Sequence, residues 1–408
     1  WRTHDAIHFI HCRRLVFELR DDERAFADEL FQRHGVGPED FVACMQLGAS
    51  ESGKRWSARR FAELARLMKD RWNAHIFLLG VAEEAPLGEE FEAHAPGLAT
   101  PLYGQTSIPQ VAALLARSRV LVTNDTGTMH IAAAVRCPIA LVSVGNVHYR
   151  ETGPYGEGHC AIEWRRASLG RSDFVPGAAE EREAIRPEQV LRTVELVLAG
   201  PRPDGDAIPQ LPDETALESV EIYMSRFAPD GCLQFYPVVR RAMSERDYTR
   251  IAYRSMWLGH LTTADHRRGE NDSLRLMLRH YSGPGPETVA TWRDALCAVF
   301  EELASLSQQG IKTTETLLEA LRKQRIERAK QLVAQLMRLD EDMRIFSELH
   351  PPCRPLILIA RFERDNLEGA DPVRLAETTR DIYRACFARA RLLERKLKQV
   401  AGLVADAG

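Results

Sequence analysis

At 408 residues the chain is longer than one domain ordinarily needs, so two or three compact units are expected. With 45% hydrophobic and 27% charged residues it falls outside the disordered, collagen-like and low-complexity classes. The net charge of -4 divides into -7 for residues 1–216 and +3 for residues 217–408, and neither half carries the basic field of a nucleic-acid binder.

Eight cysteines (Cys12, Cys44, Cys137, Cys160, Cys232, Cys297, Cys353, Cys386) lie far apart with no CxxC pair. That pattern suggests neither a zinc ribbon nor a disulfide scaffold, and a reducing cytoplasm is the expected compartment. No apolar run approaches the roughly 18 residues needed to span a bilayer. The opening stretch, WRTHDAIHFIHCRR, has neither a signal-peptide core nor an initiator Met, so the chain reads as a fragment or processed product.

Residues 1–39 read as an interdomain connection followed by a helix from Asp21 to His34. From Asp40 to about Val144, short apolar runs alternate with amphipathic stretches. Phe41 to Leu47 predicts a buried strand. Ser57 to Met68 predicts a helix, with Ser57 as N-cap and Phe61, Leu64, Ala65, Leu67 and Met68 inward. His75 to Gly80 is a second strand and Ala99 to Tyr103 a weaker third. Ser107-Ile108-Pro109 opens a further helix with an N-cap and a first-turn proline. Strand Val120 to Thr123, helix Thr128 to Val135 and strand Ile139 to Ser143 complete the pattern. Continuous apolar strands between helices imply a parallel sheet covered on both faces, a Rossmann-like doubly wound domain over residues 40–198.

Residues 199–214 form a proline-rich linker and the expected domain boundary. Beyond it the strand signal nearly vanishes. Amphipathic stretches at about 215–227, 236–262, 271–281 and 287–308 predict an all-helical domain over 215–408. Ala329, Leu332, Leu336, Leu339, Met343 and Phe346 recur at spacings of three and four, as do Cys386, Ala390, Leu393, Leu397, Val400 and Val404. These are expected to be two long helices forming an antiparallel pair joined through 347–372, with His350-Pro351-Pro352 ending the first. The stripes serve either as a bundle core or as a coiled-coil partner surface, with self-association or a partner domain as the expected use. The basic runs Arg322 to Lys330 and Arg389 to Lys398 read as solvated helix faces. Phe227, Phe235, Tyr236, Tyr248, Tyr253 and Trp257 read as core. His260, His266 and His280 lack metal-ligand spacing.

Two segments carry chemistry. Gly48-Ala49-Ser50 follows the first strand, and Lys54 precedes the next helix, where small residues, a hydroxyl and the helix dipole suit an anion. The GxxxxGK[ST] order of a Walker A loop is absent, and a structural turn with a solvated Lys54 is the alternative. Asn124-Asp125-Thr126-Gly127-Thr128-Met129-His130 repeats the arrangement after strand Val120 to Thr123, at the carboxyl edge where open α/β folds bind ligands. His130, one turn into the helix, either faces that crevice or is a satisfied core or capping residue.

The run GAS…KRWSARRFAELA, then IFLLG followed by acidic residues, then NDTGTMHIAAAVRCP and VGNVHYRETGPYG resembles glycosyltransferase family nine, the ADP-heptose:lipopolysaccharide heptosyltransferases, over about residues 15–198. The resemblance implies one half of a GT-B architecture and an inverting, metal-independent transfer. It places Ser50 and Lys54 on the diphosphate or sugar, Glu83 or Glu84 on the ribose near Gly80, and Asp125, Thr126, Gly127, Thr128 and His130 around the diphosphate and transferred sugar. Lys54 and His130 would stabilise the leaving group. The implied substrate is a nucleotide sugar, ADP-heptose, with no cofactor and no metal. The implied acceptor is a lipopolysaccharide core or protein, reached from the cytoplasm or the inner face of the membrane, without nucleic acid and without a membrane span. The family's general base lies in an acceptor-side domain with no counterpart in this sequence, so the chain alone is expected to bind donor with little transfer. Asp5, Asp21 and Asp22 are the candidates should a base be present. The competing readings are a non-catalytic nucleotide-sugar-fold scaffold assembling through its helical half, and a sugar-nucleotide epimerase, for which no acid/base pair is found.

Overall fold

The computed structural model describes residues 13, 15–144, 149–164, 183–200, 217, 219–239, 241–261 and 269–407. The opening stretch with Asp5 and Cys12, most of the proline-rich linker, His266 and Gly145 to His148 lie outside the described residues. The chain divides into two compact units. One holds the described residues up to Arg241 together with Arg279–Tyr281, and the other holds Ala242–Leu278 and the residues from Ser282 onward.

The first unit is built on one eight-stranded sheet in the order β3-β2-β1-β4-β5-β6-β7-β8. Its strands are β1 (Val42–Gln46), β2 (His75–Leu79), β3 (Ala99–Pro101), β4 (Val120–Thr123), β5 (Ile139–Ser143), β6 (Cys160–Trp164), β7 (Val220–Phe227) and β8 (Leu233–Pro237). The first six are parallel, whereas β7 runs antiparallel to β6 and β8 antiparallel to β7. The helices are α1 (Asp21–Arg33), α2 (Ala58–Trp72), α3 (Ala85–His94), α4 (Ile108–Arg117), α5 (Gly127–Ala134) and α6 (Pro187–Ala199), with a short helical turn at Tyr149–Thr152. Strands β1, β4 and β5 are buried along their whole length, as their continuous apolar sequences require when helices cover both faces. Ser57 and Ser107 cap α2 and α4 by accepting from the Arg60 and Gln110 amides. Phe61, Leu64, Ala65 and Met68 of α2 are buried. No disulfide joins any of the described cysteines.

The sheet extends past the predicted boundary. The stretch 215–227, read as amphipathic helix, contributes β7, and β8 follows it, so the helical region begins at Glu245 rather than 215, and it is interrupted by a short strand at Tyr281–Ser282. The expected aromatic core cluster is divided accordingly. Phe227, Phe235 and Tyr236 lie on β7 and β8 of the first unit, while Tyr248 and Tyr253 lie in the second.

The second unit comprises α7 (Glu245–Leu261), α8 (Glu270–Arg279, whose last residue belongs to the first unit), α9 (Pro286–Arg322), α10 (Ile326–Leu349), α11 (Arg354–Asp365) and α12 (Pro372–Ala407). The two predicted stripes are buried on α10 and α12, apart from the half-buried Val404 at the end of the second, with α10 ending at His350 as expected. Their principal partner, however, is α9 rather than each other. α12 packs along α9, α10 lies against it, and α11 tucks Leu356, Ile357 and Ala360 inside. Gly310, about two thirds of the way along the 37 residues of α9, faces the Tyr383 ring of α12, which a Cβ at this position would meet. Among the described residues no helix is long and apolar enough to cross a membrane.

Candidate functional site

The strand order 3-2-1-4-5-6 reverses direction between β1 and β4, and the crevice above their carboxyl ends is the ligand position of doubly wound sheets. Gln46 closes β1 at the same level as Leu79 of β2 and Thr123 of β4. The loop after β1 is tied down before it reaches α2. Asn124, fully buried, accepts from the Trp56 amide at 2.9 Å and donates to the Leu47 carbonyl at 2.8 Å. Arg55 donates twice to the Ala49 carbonyl, at 3.0 and 2.7 Å. The indole of Trp56 donates to the Ile185 carbonyl at 3.0 Å. Gly48 and Ala49 are thereby held inside, while Ser50 stands at the exposed rim.

A polar chain crosses three strands at this edge. Glu84, beyond β2, accepts from the Gln46 amide at 2.9 Å and from the Val81 amide at 3.2 Å. The Gln46 side-chain carbonyl in turn accepts from the Thr128 hydroxyl at 3.2 Å. The Glu84 carboxylate lies directly against Gly48 and Gly80, where a Cβ on either residue would collide with it. Tyr103 backs the same corner, its ring lying between Gly80 and Gly88. The Tyr103 hydroxyl is buried without a hydrogen-bond partner among the described residues. Burial first, and the Glu84 charge second, push its pKa well above the ordinary tyrosine value.

After β4, Thr126 stands at the N-cap of α5 but its side chain caps no amide. Its hydroxyl lies 3.4 Å from that of Thr123. Among the described residues nothing lies within 4 Å of the place a Cβ on Gly127 would take, and the first amides of a helix such as α5 have no intrahelical partners. Asp125 accepts from the Thr152 hydroxyl at 3.1 Å, which links this edge to the helical turn Tyr149–Thr152.

Of the residues singled out from sequence, Gly48, Gly80, Glu84 and Thr128 are therefore brought together through Gln46. The Lys54 side chain is 13% exposed and its ammonium pairs with Glu51 at 2.7 Å, so an anion at this loop would compete with that carboxylate. Ser50, Glu83 and His130 are exposed. No side-chain hydrogen bond or ion pair joins these three to other described residues. Asp21 and Asp22 occupy the first turn of α1, where Asp22 lies 3.6 Å from Arg20, and no described contact joins them to this edge. Among the described residues no three His, Cys, Asp or Glu side chains gather as metal ligands. Gln46 and Tyr103 escaped the sequence reading, and Asn124 was read only as the first residue of its motif, without a role of its own. The available signal was a polar residue closing an apolar strand and an Asn directly before the Asp-Thr-Gly turn.

Residues 13–168 match the family model described as glycosyltransferase family 9 (heptosyltransferase). Lipooligosaccharide heptosyltransferase 2 of Haemophilus influenzae is 32% identical over 154 residues, covering 36% of this chain and 44% of that protein. Lipopolysaccharide heptosyltransferase 2 of Escherichia coli is 34% identical over 90 residues, 21% of this chain and 26% of that protein. The solved structure of E. coli ADP-heptose lps heptosyltransferase II aligns over 45% of this chain and 53% of its own, at 23% identity and a TM-score of 0.38. The chain spans less than half the length of the curated relatives it matches. Over residues 13–168, the chain is therefore similar to glycosyltransferase family 9.

Proposed function

We propose that the carboxyl edge of β1, β2 and β4 binds a nucleoside diphosphate sugar of the ADP-heptose type, and that the chain serves inverting, metal-independent transfer of that sugar. The observation that carries this reading is the Glu84–Gln46–Thr128 chain, which unites three loops beside the exposed start of α5. In this reading Glu84 accepts from ribose hydroxyls, using the carboxylate oxygen not engaged by Gln46. The first-turn amides of α5 meet the diphosphate. Lys54, exchanging Glu51 for phosphate, and His130 at the rim offset the negative charge that grows on the leaving diphosphate as the sugar bond breaks. The acceptor, a lipopolysaccharide core or a protein, and the base that takes its proton lie outside what these loops supply. The names of the heptosyltransferase relatives support a heptose as the transferred sugar and a lipopolysaccharide or lipooligosaccharide acceptor; in this reading transfer takes place at the cytoplasmic face of the membrane.

Saturation-transfer NMR tests this reading with ADP-heptose as the probe and GDP- and UDP-sugars as controls. Transfer to ADP-heptose that ADP displaces and EDTA leaves unchanged is expected. Equal transfer to all three sugar nucleotides, or to none, contradicts the proposed donor.

A further inference from the structure

One oxygen of the Glu84 carboxylate has three neighbours. Oε2 accepts from the Gln46 side-chain amide at 2.9 Å and from the Val81 amide at 3.2 Å. The third neighbour is the ring of Tyr103. Oε2 and the ring atoms Cδ1 and Cε1 stand 2.6, 2.6 and 2.7 Å from the one point that a Cβ on Gly80 would take. An aromatic ring carries partial positive charge at its edge, which favours a carboxylate oxygen beside it. Among the described residues nothing donates to the other oxygen, Oε1, which lies over Gly48.

The fold fixes this ring from both directions. The Leu102 amide donates to the Leu78 carbonyl at 2.9 Å and the Gly104 amide to the Gly80 carbonyl at 3.0 Å, which pins the backbone on either side of Tyr103 against the end of β2. The far edge of the ring lies against Gly88 of α3, the helix whose N-cap is Glu84 itself. Glycine at 80 and at 88 is what admits the ring, since a Cβ on either would collide with it. The Tyr103 hydroxyl is buried without a hydrogen-bond partner among the described residues, so the ring and not the hydroxyl meets the carboxylate. With the ring in that corner, Glu84 is held with Oε2 engaged and Oε1 over the loop that follows β1.

We propose that Tyr103 is a positioning residue for nucleotide binding, whose ring edge holds the Glu84 carboxylate so that Oε1 is presented to the ribose hydroxyls; this rests on the reading of the edge as a donor site. Titration calorimetry of the full chain with ADP tests it, with thermal melts as the control for folding. Tyr103→Leu removes the aromatic edge and should weaken ADP binding about tenfold, whereas Tyr103→Phe keeps the edge and should stay within about twofold of the native chain. The loss acts through Glu84, so in a Glu84→Ala background, itself weakened, adding Tyr103→Leu should change the affinity by less than about twofold. A merely structural role would lower affinity equally in both backgrounds. Tyr103→Met, which fills the corner without an aromatic edge, carries the same expectation should Tyr103→Leu not fold. Native affinity in the Leu and Met variants, a Phe variant as weak as Leu, or an equal loss with and without Glu84 overturns the role of Tyr103 and leaves the donor reading standing. A folded native chain that takes up no ADP removes the donor reading, and this role with it.

Discussion

The Glu84 carboxylate fills the space that a side chain at residue 48 would need, so the first glycine after β1 and the acidic residue beyond β2 form one unit. A methyl group at 48 meets the far end of a flexible side chain, which can swing away at little cost to the fold. Swinging away breaks the 2.9 Å bond from Gln46 and moves the carboxylate from the edge. Gly48→Ala is therefore expected to leave the thermal midpoint nearly unchanged while weakening nucleotide binding by about 1 to 3 kcal/mol, the cost of a lost charge-assisted hydrogen bond. Paired melting and binding curves check this, and unaltered affinity would remove Glu84 from the site.

Lys54→Ala should also weaken diphosphate binding by about 1 to 3 kcal/mol. Glu51→Gln should act oppositely, because it releases Lys54 from its competing carboxylate. Affinities for ADP across the two variants decide the matter. Identical values for both variants and the native chain would make the Lys54–Glu51 pair a mere surface contact.

Glycine inside a helix ordinarily costs stability relative to alanine by about 0.5 to 1 kcal/mol. At Gly88 and Gly310 the sign should reverse, because rings of Tyr103 and Tyr383 occupy the positions of the missing Cβ atoms. Either substitution to Ala is expected to destabilise by about 1 to 3 kcal/mol through overpacking. Urea midpoints provide the measurement. A gain in stability at either position would mean that the ring is not held there.

His159, buried just before β6, gives the first unit a pH dependence. Burial lowers its pKa to about 4, whereas an unfolded histidine titrates near 6.5. Between those values the unfolded chain holds the extra proton. Stability is thus complete above about pH 6.5 and declines as pH falls towards about 4, by up to about 3 kcal/mol. His159→Gln should flatten that decline in denaturation curves taken at about pH 7 and about pH 5. Equal slopes for the native and substituted chains would contradict the assignment.

The alternation of apolar strands and capped helices from β1 to β5 was legible because each strand is continuously apolar and Ser57 and Ser107 mark helix starts. Strand β7 was not, because Val220–Phe227 mixes buried and half-buried positions over only eight residues, a length at which the two periodicities overlap. The helix α9 runs on to Arg322, past the amphipathic stretch predicted at about 287–308, through Ser307, Gly310 and Thr314. In the fold Ser307 and Thr314 bond back to the Leu303 and Gly310 carbonyls, and Gly310 admits Tyr383. The pairing partner of the two stripes followed from α9 and was missed with it. At the site, glycines and acidic residues were legible by type. Gln46 was not, and Asn124 was legible only as part of its motif, since what matters is which loops they join, and that depends on strand order rather than local sequence.

Isothermal titration of the full chain with ADP-heptose and with ADP tests the central claim most directly. The account predicts one site per chain, affinity stronger than the order of a millimolar, and mutual competition between the two ligands. A correctly folded chain that releases no heat with either ligand, and shows no ligand-induced rise in melting temperature, would contradict it.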